Sequence, residues 1–95
     1  MYDKAHEIFG HLLNKVVSKE DEYDEVQEAH YYLFRSEKAF QKQTYLLAAS
    51  WARLARRNLW HALSFYGNGD NKATYDNLLD LLENIQSYCN AQFYA

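Results

Sequence analysis

The scarcity of helix-interrupting residues is the strongest constraint on this fold. The 95 residues include no proline and only three glycines, Gly10, Gly67 and Gly69. These two residue types most disfavour a helix interior, and apolar residues here recur three and four positions apart, as on one face of a helix. No segment alternates apolar and polar residues between turn residues in the manner of a β-strand. The sequence therefore predicts an all-α fold.

One clear loop divides the predicted helices. It is the segment Gly67-Asn68-Gly69-Asp70-Asn71, in which Gly67 is suited to end one helix and Asp70 or Asn71 to cap the next. A last helix is expected to follow, from about residue 71 to about residue 93. A first helix is expected over about residues 2 to 17.

A second break is expected inside the long segment from Asp21 to Tyr66. This segment contains neither glycine nor proline, but a single helix of that length is too long for a compact chain of this size. Residues 35–44 are mostly polar, and Ser36 and Thr44 are possible N-caps, so a turn or kink is predicted there. The predicted architecture is a small antiparallel bundle of three to four helices, with three if one long central helix is kinked.

Length and composition narrow the class of protein. A chain of this length is expected to form a single helical domain, residues 1–95. Its net charge of −3 excludes a strongly basic nucleic-acid binder and a heavily acidic DNA mimic. The single cysteine, Cys89, excludes an intrachain disulfide and a multi-cysteine zinc site. Since the histidines form no His-x-x-x-His pair, neither a metal nor a cofactor is expected.

The first residues of the chain and its hydropathy predict the cellular compartment. Met1 leads directly into charged, helix-forming sequence rather than into a signal peptide. No apolar run approaches the roughly 20 residues of a membrane-spanning helix. We therefore expect a cytoplasmic protein that does not interact with membranes.

The segment from residue 41 to residue 66 has two different faces. One face is apolar and is predicted to be the core face: Leu47, Ala48, Trp51, Ala52, Leu54, Ala55, Leu59, Ala62, Phe65 and Tyr66. The opposite face is basic with an aromatic centre, and its candidate binding residues are Lys42, Arg53, Arg56, Arg57, Trp60 and His61. We call these six residues the basic-aromatic stripe. A large indole among cations either packs against another part of the chain or contacts a partner.

Three interpretations of the basic-aromatic stripe remain open. In the first, Trp60 belongs to a secondary core, and the arginines reach acidic residues of other helices. Those acidic residues are Glu20, Asp21, Glu22, Asp24, Glu25 and Glu28, or Asp76, Asp80 and Glu83. In the second, the stripe is a homodimer or heterologous protein interface, because Trp and Arg dominate binding hot spots. In the third, Trp60 stacks on a base of RNA or single-stranded DNA while the arginines hold phosphates.

The segment Arg56-Arg57-Asn58-Leu59-Trp60-His61 also has the spacing Arg, four residues, His. It resembles the motif of the HEPN-superfamily ribonucleases, which are helical, often dimeric and independent of metal. The resemblance implies a site at a dimer cleft, in which Arg56 stabilises phosphate charge and His61 acts as general acid or base. In that family a small polar residue usually follows the arginine, whereas Arg57 follows it here.

The favoured hypothesis is a small non-enzymatic protein-binding module. Size and a high aromatic content, with nine Tyr, five Phe and two Trp, fit an adaptor or an inhibitor of the kind encoded by phages and mobile elements. Such a protein would act by occlusion, its Trp- and Arg-centred face covering a functional surface of the target. The alternatives are a metal-independent ribonuclease using Arg56 and His61, and a nucleic-acid-binding module using the same stripe.

Overall fold

A computed structural model describes residues 1–67 and 69–95 and contains four helices in them. The helices are α1 (Tyr2–Val16), α2 (Glu20–Gln41), α3 (Tyr45–Tyr66) and α4 (Lys72–Tyr94). The structure is 87% helical, and the described residues form no strand. The predicted all-α fold and the four-helix form of the bundle are therefore confirmed.

The helices form an antiparallel ring. Each helix packs against its neighbours in the order α1, α2, α3, α4 and back to α1. The connections between them are short, and short connections make consecutive helices antiparallel. The bundle is elongated, with extents of 41 × 19 × 18 Å. No helix in the described part of the chain is both long and apolar enough to cross a membrane.

The break inside the long glycine-free segment lies at residues 42–44, at the end of the predicted window. Gln43 adopts a positive φ of 62°, which reverses the chain without a glycine. The Thr44 hydroxyl donates to the carbonyl oxygen of Ala39 at 2.9 Å, so it satisfies the end of α2 rather than capping α3. Ser36 is buried in the interior of α2, and its interpretation as a possible N-cap was wrong.

The loop before α4 lies at its predicted position, but the side-chain cap expected at the start of α4 is absent. Helix α3 ends at Tyr66, and the backbone N–H of Gly67 donates to the carbonyl oxygen of Leu63 at 2.9 Å. A Cβ atom on Gly67 would lie 2.4 Å from Leu63 Cδ1, which explains why a residue without a side chain stands there. Asn71 precedes α4 without a side-chain cap. Asn68 lies outside the described residues.

Small side chains give α3 its position in the bundle. Its fully buried residues are Ala48, Ala52, Ala55, Leu59 and Ala62. Alanines at these sites let α2 and α4 approach closely, and the larger side chains are therefore displaced to the flanks of the helix. The predicted core face was too broad: Leu47, Leu54, Phe65 and Tyr66 are exposed, and Trp51 is half-buried. The face also omitted Ala49, which is buried.

A buried polar network joins all four helices near one end of the bundle. The Ser36 hydroxyl donates to the carbonyl oxygen of Ala48 at 2.8 Å. Its single proton is thereby used, so the Tyr2 hydroxyl is the donor in the 2.8 Å bond to Ser36 Oγ. The Cys89 thiol lies 3.5 Å from the Tyr2 oxygen. Burial raises the pKa of both Tyr2 and Cys89, which keeps these groups neutral.

A second buried contact crosses the ring diagonally. The fully buried phenol of Tyr75 on α4 donates to Glu22 Oε2 on α2 at 2.6 Å. Glu22 is itself only 2% exposed. Burial, followed by this hydrogen bond, raises the pKa of Tyr75 above its usual value, so the phenol remains a donor. A buried carboxylate needs such a partner, because burying it without a hydrogen-bond donor destabilises the fold by roughly several kcal/mol.

Two histidines and a glutamate link α1 to α2. His6 Nε2 lies 2.9 Å from Glu37 Oε1, and His6 Nδ1 lies 2.9 Å from His30 Nε2. When neutral His6 donates to Glu37, its Nδ1 accepts the proton of His30. The His30 ring also stacks on Phe9, with centroids 4.7 Å apart. Burial, and secondarily His6, lowers the pKa of His30 from 6.5 to about 4.

This shift predicts a loss of stability in mild acid. Between pH 6.5 and about 4, the unfolded chain takes up a proton at residue 30 that the folded chain does not bind. The contribution of His30 to the free energy of unfolding is therefore fully present above pH 6.5 and falls as the pH drops toward 4. The expected loss is about 1–2 kcal/mol, since the half-buried ring is partly screened by solvent.

Urea unfolding across that pH range, followed by circular dichroism, measures this effect. The variant His30→Gln lacks the titrating ring, so its free energy of unfolding should depend less steeply on pH than that of the wild type. Identical pH dependences in the two proteins would contradict the assignment to His30.

Candidate functional site

Trp60 is the large aromatic residue on the basic face of α3, and it is exposed. Its side chain lies on the outer side of the helix, and the residue is 61% exposed. This position contradicts the first interpretation of the stripe, in which Trp60 belonged to a secondary core. Because an indole buries a large apolar area when it is covered, its exposure leaves substantial binding energy unused in the isolated chain.

Arginines surround Trp60 on the side that faces α4. A groove of about 500 Å³ between α3 and α4 is lined by Arg53, Arg56, Arg57, Trp60, Leu79 and Glu83. We call Arg53, Arg56, Arg57 and Trp60 the Trp60 patch. Arg56 Nη1 lies 3.9 Å from Glu83 Oε2; the Arg56 side chain is partly exposed and that of Glu83 is well exposed. A pair this long and this exposed binds weakly, so Arg56 remains able to turn toward a partner.

A second groove lies on the other side of Trp60, toward α2. It encloses about 560 Å³ and is lined by Glu25, Tyr32, Leu54, Arg57, Asn58, Trp60 and His61. His61 Nδ1 contacts Glu25 Oε1, and the Asn58 side-chain amide donates to the backbone carbonyl of Glu25 at 2.9 Å. Trp60 and Arg57 therefore form a ridge that separates the two grooves.

The structure brings together four of the six predicted binding residues. Arg53, Arg56, Arg57 and Trp60 share the groove toward α4, whereas His61 lies in the groove toward α2. Lys42 was assigned to the same helix face but follows the end of α2, outside α3. At 1.5 Å per residue, the start of α3 is roughly 22 Å along its axis from Trp60. The placement of Lys42 in this site was therefore wrong.

The site also includes residues that the sequence did not identify. Leu79 of α4 is one, and it forms the far wall of the first groove beside Glu83, which the first interpretation had already named as a partner of the arginines. Tyr32 of α2 stacks on Trp51, with centroids 5.6 Å apart, and the Arg35 guanidinium lies 5.0 Å from the same indole. The helical spacing of these aromatic and aliphatic residues was visible in the sequence. Which of them contact one another across two helices depends on how each helix is rotated about its axis, and the sequence does not show that rotation.

The proposed ribonuclease pair is not assembled within one chain. Arg56 faces Glu83 in one groove, and His61 faces Glu25 in the other. A general acid or base acts on the group that the cation stabilises, so the two side chains must converge on one phosphate. Within one chain the Trp60 and Arg57 ridge separates them. The dimer-cleft site that the resemblance implies, in which the two side chains come from different chains, stays a prediction. The described residues contain no group of three histidine, cysteine, aspartate or glutamate side chains placed to hold a metal ion.

Comparisons with known proteins found no matching family model, no matching curated protein and no matching solved structure.

Proposed function

We propose that this chain binds another protein through the Trp60 patch and acts by covering a surface of that partner. The observation that carries the proposal is the exposed indole of Trp60 among three arginines. Tryptophan and arginine are the residues most enriched at interface positions where truncation strongly weakens binding. The occluded surface would be a functional one, as expected of a small adaptor or inhibitor.

The chemistry of the patch defines the partner. Trp60 calls for an apolar pocket that removes the ring from water. Each arginine that is covered requires a carboxylate or carbonyl acceptor, because an unpaired buried charge is costly. The complementary surface is therefore an apolar depression bordered by acidic side chains.

The charges beside the patch favour a protein over a nucleic acid. Glu83 borders the groove toward α4, and Glu25 borders the groove toward α2. A sugar-phosphate backbone laid across the ridge would meet both carboxylates, whereas an acidic protein rim needs to place only a few charges. The net charge of −3 also gives no long-range attraction for a polyanion.

Site-specific crosslinking tests the proposal in the native cells. A photoreactive amino acid replaces Ser64, which is exposed one turn from Trp60, in one variant and Gly10, on helix α1, in a matched control, so the indole stays in place. The residue-64 variant should crosslink to a defined protein, which is then purified. Crosslinking of position 64 to RNA, or equal crosslinking from both positions, would contradict the proposal.

The affinity of the purified pair then measures the role of Trp60. The substitution Trp60→Ala should weaken binding at least about 30-fold, which corresponds to the ~2 kcal/mol of a hot-spot residue. The control Ser64→Ala, also on the exposed side of α3, should leave the dissociation constant nearly unchanged. Both variants should retain wild-type stability, because neither side chain is in the core. Equal affinities of wild type and Trp60→Ala would overturn the assignment.

A further inference from the structure

Part of the charge pattern of α2 is symmetric about its centre. Three of the six acidic residues in its first half have basic counterparts at matching distances in its second half and at its end. These three acidic residues are Asp21, Glu25 and Glu28, which lie ten, six and three residues before Tyr31. The basic residues are Lys42, Lys38 and Arg35, which lie ten, six and three residues after Tyr32.

These side chains occupy the outer side of α2, where it borders α3. All except the half-buried Glu25 are exposed. At 100° per residue they span roughly 140° of the helix circumference, from its outer side to the flank that borders α3, and the histidine cluster that faces α1 lies on the other flank. The centre is apolar: Tyr31 is 52% exposed, and Tyr32 and Leu54 line the groove between α2 and α3.

We propose that this face of α2 binds the same face of a second copy of the chain, in an antiparallel arrangement with a two-fold axis between Tyr31 and Tyr32. Antiparallel pairing reverses the order of charges, so Asp21 meets Lys42, Glu25 meets Lys38 and Glu28 meets Arg35. The two-fold axis repeats each contact, as in any isologous dimer. A parallel arrangement would instead place like charges opposite each other.

The composition of the face suits an interface. Tyrosines beside Leu54 form an apolar centre, and charged residues form the rim, which is the usual anatomy of a protein interface. Exposed ion pairs contribute little stability one by one but select the partner and its orientation. This inference rests on the charge pattern of α2 rather than on the proposed function of the Trp60 patch, whose Trp60 and Arg57 border the same groove as Tyr32 and Leu54.

Charge reversal provides a specific test, read out by light scattering and sedimentation at matched concentrations. The wild type in low salt should have twice the chain mass of 11.3 kDa and should dissociate as salt screens the ion pairs. Glu28→Arg and Arg35→Glu should each raise the dimer dissociation constant at least about tenfold, because each places like charges opposite each other.

Mixing the two single variants tests whether these charges meet across the interface. One chain then carries two positive groups and the other two negative groups at these positions, so the mixture should form a heterodimer. The double variant decides the geometry: it should regain the homodimer, because exchanging the two charges restores opposite pairs only if residue 28 meets residue 35 in an antiparallel arrangement. Asp21→Lys and Lys42→Glu form a second set, to be used if circular dichroism shows that a member of the first set is unfolded.

Three results would overturn the proposal. The first is a wild type that stays monomeric in low salt up to its solubility limit. The second is a dimer that survives both single reversals, which would place the interface on another face. The third is a mixture of folded single variants that associates no better than either variant alone.

Discussion

Tyr75→Phe is expected to destabilise the fold by about 2–4 kcal/mol, because it leaves a buried carboxylate without its donor. The phenol of Tyr75 donates to Glu22 at 2.6 Å, and both residues are almost fully buried. Phenylalanine keeps the ring and its packing but cannot donate. The Glu22 carboxylate would then stay in the core with reduced hydrogen bonding or be forced to move toward water.

Urea unfolding monitored by circular dichroism measures this loss. The exposed Tyr88 lies on the same helix, so Tyr88→Phe is the matched control and should change the free energy of unfolding by less than about 0.5 kcal/mol. The double variant Glu22→Leu with Tyr75→Phe should recover much of the loss, since it removes the buried charge together with its donor. A Tyr75→Phe variant as stable as the wild type would contradict the role assigned to this pair.

Ala52→Leu is expected to cost about 1–3 kcal/mol or more, because it forces extra volume into the closely packed side of α3. Ala52 is fully buried, and α3 packs against both α2 and α4. A leucine there must displace one neighbouring helix or adopt a strained rotamer. The close approach of the helices, rather than helix propensity, is what this substitution disturbs, since both residues favour helices.

The comparison substitution for Ala52→Leu is Ser50→Leu. Ser50 is exposed on the same helix, so a leucine there should change the free energy of unfolding by no more than about 0.5 kcal/mol. Thermal and urea unfolding of both variants measure the difference. If the two substitutions had equal effects, the alanines of α3 would not set the distance between the helices.

The helices themselves were predictable, because few residues in the sequence can end one. The loop at Gly67 and the break between residues 35 and 44 followed from local chemistry. The position of the second break within that window did not, since Gln43 adopts its positive φ without a glycine to mark it. The hydrogen bonds that Lys42 and Thr44 donate to carbonyl oxygens at the end of α2 show where this break lies.

Burial on α3 was harder to predict, because helical periodicity gives the direction of a side chain but not the width of the face that its neighbours cover. Alanines occupy the line of closest approach, so Leu54 and Phe65 lie beyond the edges of α2 and α4 instead of in the core. Glu22 and Tyr75 were missed as a pair for a related reason: a contact between helices diagonal in the ring leaves no local sequence pattern.

The candidate site was predictable in part. The basic face of α3 identified Trp60 and its arginines, because residues three and four apart share a helix surface. The sequence could not show that Arg56 and His61 lie in separate grooves, since that depends on where Glu83 and Glu25 stand on the neighbouring helices. Lys42 was misplaced because α3 was expected to begin before residue 44.

The two tryptophans allow the most direct test of the central claim, which is that a protein partner covers Trp60. Trp51 is half-buried between Tyr32 and Arg35, whereas Trp60 is 61% exposed. Each indole N–H gives one NMR signal, and a soluble paramagnetic agent should broaden that of Trp60 more strongly in the free chain. In the complex with the crosslinked partner, the Trp60 signal should become protected. A Trp60 signal that is broadened equally in the free and bound chain would show that the partner binds elsewhere.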